Sequence, residues 1–430
     1  SALDAQQPFY FYLTLANSRQ VVHIPTQDFD PTAFRPALDN ALKRFASGFA
    51  RTVALSVPPV QQEMARFSLG GPTFDNLERL VAGNYNLRLE DLRDGAVDPE
   101  ADILAVVAPG ELDEAAVFAI DQFLMRGGTV LLATSPYTAE LSGGQLKLQD
   151  WHSGLHDWLQ HNGLSVGETL VLDSRSAAFP APVLRRSGEY EFRDMQLVDY
   201  PYFIDLRPPG LSPDHPVTAN LPQLTMAWAS PVTVRPDTGR RSEVLLRSSS
   251  GAWLSDSPDI APRPEGMVQS GDGGGRDTAG VHTLGVTVAG RFDSWFAGRE
   301  LPVVDSEASP TARGLLRRSP ESARIVLFAS NDFMDDQVLQ SVVSATGTQY
   351  LGPLELFMNT LDWALQDDDL LQIRSRGHFN RTLPPMERRA QLALESINYA
   401  LSLLWLLLLA AYSGAYRLWR RRRYRRALGL

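Results

Sequence analysis

Two histidines four residues apart, His152 and His156, have the spacing at which two imidazoles share a helical face and could hold zinc, and His161 follows closely. The run between them reads H-S-G-L-H and lacks the glutamate that serves as base in a zinc peptidase. Trp151, Leu155, Trp158 and Leu159 supply the apolar stripe of the helix expected over residues 148–161, which leaves the histidines on its border. Ser330 stands just after a strand-like run (residues 324–329, RIVLFA) and before a helix, where a strand-to-helix nucleophile sits. Its surroundings, A-S-N-D-F-M, lack the flanking glycines of a nucleophile elbow. Asn331 or Asp332 as N-cap, with Asp335 and Asp336 favourable to the helix dipole, explains the same cluster structurally. Thr134, Ser135 and Pro136 follow another strand-like run, residues 129–133 (TVLLA). Because α/β folds bind ligands at the carboxyl ends of their strands, Thr134, Ser135, Asn331 and Asp332 form the candidate ligand-binding set. Asp367–Asp369 fits a solvated helix end.

Other chemistries are excluded by what the chain lacks. No G-x-x-x-x-G-K-[ST] occurs, and Gly271–Gly275 fails G-x-G-x-x-G because Arg276 occupies the last glycine position. ATP-driven work must therefore come from a partner. The chain has no cysteine, which removes disulfides, thiolate metal sites and cysteine nucleophiles together. No cofactor or metal is expected. A membrane-tethered hydrolase using Ser330 or the His152/His156 pair stays as the alternative to a non-catalytic role.

The elements that must position these residues alternate in type. Residues 9–15, 20–24, 51–57, 87–89, 103–108, 129–133 and 169–172 have strand character, and residues 32–46, 72–82 and 112–126 have helical character. The 112–126 helix should bury Ala116, Val117, Ile120, Phe123 and Leu124, with Asp113 and Glu114 in its first turn and Gly127–Gly128 just past its end. This alternation predicts an α/β fold with a mostly parallel sheet flanked by helices. Residues 177–320 are richer in Pro, Ser and Gly, with short alternating strands such as 284–289 (LGVTVA) and a loop at 270–280. The α/β pattern then returns at 324–329, with a helix over 354–366, and completes the sheet.

Residues 397–416 (INYALSLLWLLLLAAYSGAY) are uncharged and about 30 Å long as a helix, the thickness of one bilayer core. Seven arginines follow within residues 417–426, including Arg417, Arg420 and Arg421, and such clusters mark the cytoplasmic flank. Trp405, Tyr399, Tyr412 and Tyr416 add amphipathic rings to the span. Residues 1–416 carry 33 basic against 50 acidic side chains, a net −17, which argues against nucleic-acid binding. The expected layout is a partial αβ element (1–47), an extracytoplasmic α/β domain (48–176), a β-rich, loop-rich insertion (177–320) and a return of the α/β domain (321–369). A basic linker (370–396), the membrane helix (397–416) and a cytoplasmic Arg-rich tail (417–430) follow. The opening SALDAQQPFY shows no targeting segment, so the chain is expected to be the distal part of a longer polypeptide or to lack its signal.

The stretches DLRDGAVDPEADILAVVAP (91–109) and ELDEAAVFAIDQFLMRGGTVLL (111–132) resemble auxiliary proteins of ABC-2-type transport systems, the GldG family of gliding-motility components. RIVLFASNDF (324–333), LFMNTLDWALQDDDLLQIR (356–374), the closing membrane helix and the early YFYLTL and ALKRF segments are similar to the same family. The resemblance implies an extracytoplasmic domain of amidotransferase-like or flavodoxin-like type, anchored in the bacterial inner membrane. It also implies an ABC permease and ATPase as partners, membrane lipid around the anchor, and a substrate or envelope protein as the domain's target. Glutaminase chemistry does not carry over, since there is no cysteine to form the thioester.

Overall fold

A computed structural model describes residues 13–16, 21–24, 51–59, 72–142, 145–187, 190–237, 239–262, 279–302, 315–346, 350–365 and 388–427. The expected helix 32–46, Asp367–Asp369, residues 370–387 and most of the 270–280 loop lie outside these. The chain divides into two units, residues 1–378 and 379–430.

In the first unit, β1 (Leu13–Ala16) and β2 (Val21–Ile24) pair with each other as an antiparallel ribbon. A βαβ unit follows: β3 (Thr52–Ser56), α1 (Asp75–Asn84) and β4 (Asn86–Leu89). Then come β5 (Ile103–Val107), α2 (Glu114–Met125) and β6 (Thr129–Ala133). A hairpin of β7 (Tyr137–Ser142) and β8 (Gln145–Asp150) precedes the short helix α3 (His156–His161). The next strands are β9 (Leu164–Val166), β10 (Leu170–Asp173), the long hairpin β11 (Ser176–Ser187) and β12 (Tyr190–Leu206), β13 (Leu224–Ala227) and β14 (Val232–Val234). The unit ends with β15 (Arg240–Arg247), β16 (Ala252–Ser255), β17 (Thr283–Gly290), β18 (Arg324–Phe328), α4 (Asp336–Thr346) and α5 (Gly352–Ala364).

The main sheet has seven strands in the order β15-β17-β18-β6-β5-β3-β4. From β4 to β18 the pairings are parallel, while β17 and β15 add antiparallel strands at one edge. Renumbered within the parallel part, the order is 2-1-3-4-5, a doubly wound arrangement. Two strands from within 177–320, β15 and β17, thus belong to the main sheet.

Side-chain alternation splits the core cleanly between the two faces. Val53, Leu55, Ile103, Ala105, Val107, Leu131, Val326 and Phe328 face α1 and α5, meeting Leu77, Val81, Leu356, Phe357 and Leu361. The intervening residues Ala54, Leu104, Val106, Val130, Leu132, Ile325 and Leu327 face α2 and α3, meeting Ile120, Leu124, Trp158 and Leu159. Burial on both sides is why these strands read as continuous apolar runs. The five α2 residues expected to be buried are buried. Asp113 is its N-cap, accepting from the Ala116 N–H at 2.8 Å, and Gly127 ends it at φ +91°.

The expected helix over 148–161 is corrected. Residues 145–150 form β8, because Leu146 and Leu148 alternate with Lys147 and Gln149 and pair with Ala139 and Leu141 across the hairpin. The helix begins only at His156, after Gly154 turns at φ +78° with its Cα against the Leu112 carbonyl, where a Cβ would lie 2.3 Å from the oxygen.

The second unit contains α6 (Arg388–Ala427), a single 40-residue helix. It starts inside the segment expected to be a linker and continues through the arginine cluster. Its apolar window, Leu392–Arg417, spans 26 residues and is long and apolar enough to cross a membrane.

One buried carboxylate ties the α2–α3 layer together. Asp121 is fully buried and accepts from Trp158 Nε1 at 3.1 Å, Ser294 Oγ at 2.6 Å and the Trp295 N–H at 3.0 Å. Removing it leaves buried donors unsatisfied, at about 1–3 kcal/mol each. Asp121→Ala should therefore lower stability by about 2–4 kcal/mol in thermal unfolding of the detergent-solubilised chain, with Asp121→Asn milder. A loss below about 0.5 kcal/mol would show that the network contributes nothing.

Candidate functional site

The chain leaves β18 through a turn whose polar side chains are buried. Ser330, fully buried, donates its hydroxyl to the Ala227 carbonyl at 2.6 Å and accepts from the Asp332 and Phe333 N–H groups at 3.1 and 3.2 Å. The hydroxyl is thus committed to fixing the turn. In this arrangement a substrate carbonyl could reach the Ser330 oxygen only if the core around the turn opened.

The turn also gathers the predicted ligand-binding residues. Asn331 Oδ1 accepts from the Ser135 N–H at 3.2 Å, and its Nδ2 donates to the Ser135 and Tyr137 carbonyls at 2.8 and 2.7 Å. Ser135 Oγ lies 3.0 Å from Ser230 Oγ. Asp332 accepts from Thr138 Oγ1 at 2.6 Å and from the Ala139 N–H at 3.2 Å. The Thr134 N–H donates to the Phe328 carbonyl at 3.0 Å. Thr134, Ser135, Asn331 and Asp332 are each at most 3% exposed. The structure brings the four together, and their polar groups are directed into the protein. They clamp the entry to the β7–β8 hairpin onto the end of β18.

The next two carboxylates act on a different element. Asp335 accepts from the Gln337 N–H at 2.9 Å, at the start of α4, and from the Thr73 N–H at 3.4 Å. Asp336 accepts from the Asp75 and Asn76 N–H groups at 2.8 and 3.1 Å, while its own N–H donates to the Thr73 carbonyl at 2.9 Å. Asp336 therefore caps the N-terminus of α1, 260 residues earlier in the chain. Sequence alone assigned this pair to its own helix. Neither Ser230 nor the α1 connection leaves any local signal, because the partners are far apart in sequence.

The histidines do not converge. His152 is exposed in the loop after β8, outside any helix, so the expected shared helical face is absent. His156 is exposed at the first residue of α3, and its ring nitrogen lies 2.8 Å from Gln160 Nε2. His161 instead bonds the Asp293 carbonyl at 2.9 Å and meets the Trp295 ring edge-on. Among the described residues no group of three or more metal-ligating side chains occurs.

Two further places were invisible in the sequence. At the switch point of strand order, beyond the carboxyl ends of β3 and β5, Ala108 and Glu111 hold left-handed backbones at φ 46°. The β8–α3 loop covers this turn: Trp151 Nε1 donates to the Pro109 carbonyl at 2.7 Å and the Glu111 N–H to the His152 carbonyl at 2.7 Å. At the opposite end of the sheet, a groove of about 600 Å³ is lined by Arg240, Arg291 and Arg318 and their ion-pair partners Asp237, Glu321 and Asp293. The Arg291–Glu321 and Arg318–Asp293 pairs are largely solvated, and such pairs contribute little individually, whereas the Arg240 side chain is mostly buried.

Burial sets the electrostatics of the clamp. It pushes the Asp332 carboxyl up to about 8, opposed by the Thr138 hydrogen bond and reinforced by Asp335. Asp335 is pushed up to about 7, again chiefly by burial, with bonds from Gln337 and Thr73 opposing and Asp336 adding to it. Both carboxyls thus keep protons in the folded chain that the unfolded chain, ionising near 3.9, gives up. Their stabilising contribution is complete below about pH 4 and is lost as pH rises through about 7 to 8. Thermal unfolding should therefore occur at higher temperature near pH 5.5 than near pH 8.5, and Asp332→Asn should flatten that slope. An equal slope in the variant would show that Asp332 titrates as an exposed carboxylate.

The profile of a family described as an ABC-type uncharacterized transport system, auxiliary component, matches residues 63–362, from ahead of α1 to within α5. An uncharacterized protein of Borreliella burgdorferi is 23% identical over 178 residues, covering 40% of this chain and 32% of that protein. The match thus spans about a third of the relative's length. Among solved structures, the mmIFT52 N-terminal domain aligns with TM-score 0.39 and 9% identity over 74% of this chain and 98% of that one. A ThuA-like protein from Bacteroides uniformis aligns with TM-score 0.35 and 13% identity, over 73% and 91% of the two chains. Both structural likenesses are too loose to carry an argument about fold or activity. The profile, in contrast, spans well over half of the chain and all five parallel strands but β3, and by it the chain belongs to the auxiliary family of ABC-type transport systems.

Proposed function

We propose that the chain is a non-catalytic auxiliary subunit of an ABC transporter of the GldG type. Its α/β domain stands outside the cytoplasm and meets a substrate or an envelope partner. The family match over residues 63–362 carries this reading. The absence of a phosphate-binding loop supports it, because a partner ATPase must then supply the energy. The 2-1-3-4-5 strand order supports an amidotransferase-like or flavodoxin-like assignment, whereas the lack of cysteine is at odds with amidotransferase chemistry. Thr134, Ser135, Asn331 and Asp332 act, in this reading, as the clamp that shapes the sheet's carboxyl end, and a ligand would meet the loops they hold.

The anchor's orientation follows from charge. Moving an arginine to the bilayer centre costs about 2.5–3.5 kcal/mol on insertion scales, and seven follow the span. The proposed topology puts residues 417–430 in the cytoplasm and the acidic domain on the far side of the inner membrane.

Two experiments test this. Affinity purification of the tagged chain in mild detergent should recover an ABC ATPase and a permease; isolation as a lone monomer would refute the subunit assignment. A reporter active only in the periplasm, placed within residues 270–280, should be active. A silent periplasmic reporter with an active cytoplasmic one at the same place would reverse the topology.

A further inference from the structure

The groove of about 600 Å³ at the amino end of β18 is walled by arginines in an otherwise acidic molecule. Its lining holds Arg240, Arg241, Arg291 and Arg318 against three carboxylates, Asp237, Asp293 and Glu321. Residues 1–416 carry 33 basic against 50 acidic side chains, so the groove reverses the prevailing sign. Its volume is that of a small-molecule site. Part of the floor is bare backbone, because Gly290 faces Arg240 across β15 and β17 at φ +135°. A Cβ there would lie 2.9 Å from the Gly239 carbonyl oxygen. The walls are tied together, since Asp293 and Arg318 bridge through their backbones and the Ser294 N–H donates to the Arg317 carbonyl at 2.9 Å.

The guanidinium groups play unequal parts. Arg240 is locked in place: its Nε and Nη2 lie 2.9 and 2.8 Å from Asp237 Oδ2, and Nη1 donates to the Asn162 carbonyl at 2.7 Å. Its guanidinium carbon also sits 5.0 Å from the centre of the Phe292 ring. It supplies fixed charge. Arg318 gives only its Nε to Asp293, at 2.7 Å, and Arg291 Nη2 lies 3.1 Å from Glu321 Oε1. A guanidinium has five N–H donors, so among the described residues most donors of both remain unused. Their side chains are 67% and 62% exposed, and pairs so solvated rearrange at little cost. Arg241 is largely exposed beside them, 2.8 Å from Glu243.

The structure assigns this groove as a binding site for a phosphate group, free or esterified, with Arg291 and Arg318 closing on it. A carboxylate is flat and presents two oxygens, which one guanidinium satisfies bidentately. A phosphate group presents oxygens in several directions, enough for guanidinium groups from two walls at once. Asp293 and Glu321 compete with the ligand for the same arginines and hold its affinity down. That gives the site a signature: removing a carboxylate strengthens binding, whereas removing the arginines weakens it. The site is separate from the loops at the carboxyl end of the sheet and does not depend on the auxiliary-subunit reading.

Isothermal titration of the detergent-solubilised full chain with inorganic phosphate, at an ionic strength held constant with chloride, tests the assignment. Saturable binding is expected, with an unfolding temperature that rises with phosphate concentration. Arg291→Ala combined with Arg318→Ala should weaken binding by about tenfold or more, because charge-assisted hydrogen bonds are lost. Glu321→Gln and Asp293→Asn should each tighten it several-fold. Glycerol 3-phosphate binding more tightly than inorganic phosphate would support an ester as ligand, and equal or weaker binding would support the free ion. Citrate binding more tightly than either would overturn the phosphate assignment in favour of a polycarboxylate. The site itself would be refuted by the absence of saturable binding to the unsubstituted chain. It would equally be refuted by binding that the arginine substitutions do not weaken or the carboxylate substitutions do not tighten.

Discussion

A strand leaving the carboxyl end of a sheet buried on both faces must turn while its backbone groups are still cut off from water, and residues 330–336 meet that constraint with side chains. Ser330 closes the turn on itself and on Ala227, Asn331 bridges to Ser135 and Tyr137, and Asp332 receives Thr138. Asp335 and Asp336 then reach across to the start of α1. Five polar residues within 330–336 thus join β18, β13, the β7–β8 hairpin and α1. The same arrangement removes the most reactive-looking residues of the sheet's end from solvent.

Burial favours the protonated form of both carboxyls in the clamp. An ionised Asp332 in so buried a place would face a large desolvation cost with no ion pair among the described residues to offset it. Asp121, in the opposite layer, is buried among donors from Trp158, Ser294 and Trp295 instead. Asp332 thus holds the β7–β8 hairpin to the end of β18, and Asp121 holds α2 to Trp158 of α3 and to Ser294 and Trp295. The raised carboxyls of Asp332 and Asp335 are why pH should act on the clamp.

Function is divided between units built for different solvents. The α/β domain hides its apolar strands between helices and shows an acidic exterior to water. The α6 helix reverses this, exposing Leu401, Trp405, Leu406 and Leu407 over its apolar window. The family to which the chain belongs is one of auxiliary components of ABC-type transport systems.

Short-range patterns were enough to place β3, β5, β6, β18, α1, α2 and α5 and the membrane helix, because each is specified by its own apolar period and its caps. The resemblance carried in residues 91–132 and 324–374 pointed to an auxiliary family of ABC-type transport systems for the same reason: those segments are continuous in the chain. Local pattern failed where two periods competed, at 145–150, where Leu146 and Leu148 fit a strand and Leu148, Trp151 and Leu155 fit a helix. Only the pairing with β7 decided between them. Thr134, Ser135, Asn331 and Asp332 were grouped from their places at strand ends, yet whether they face a ligand or one another was undetermined. That depended on Ser230 and Thr138 and on the covering hairpin, contacts between residues nearly a hundred or more positions apart. Long-range hydrogen bonds have no sequence period, so the tertiary structure alone could assign them.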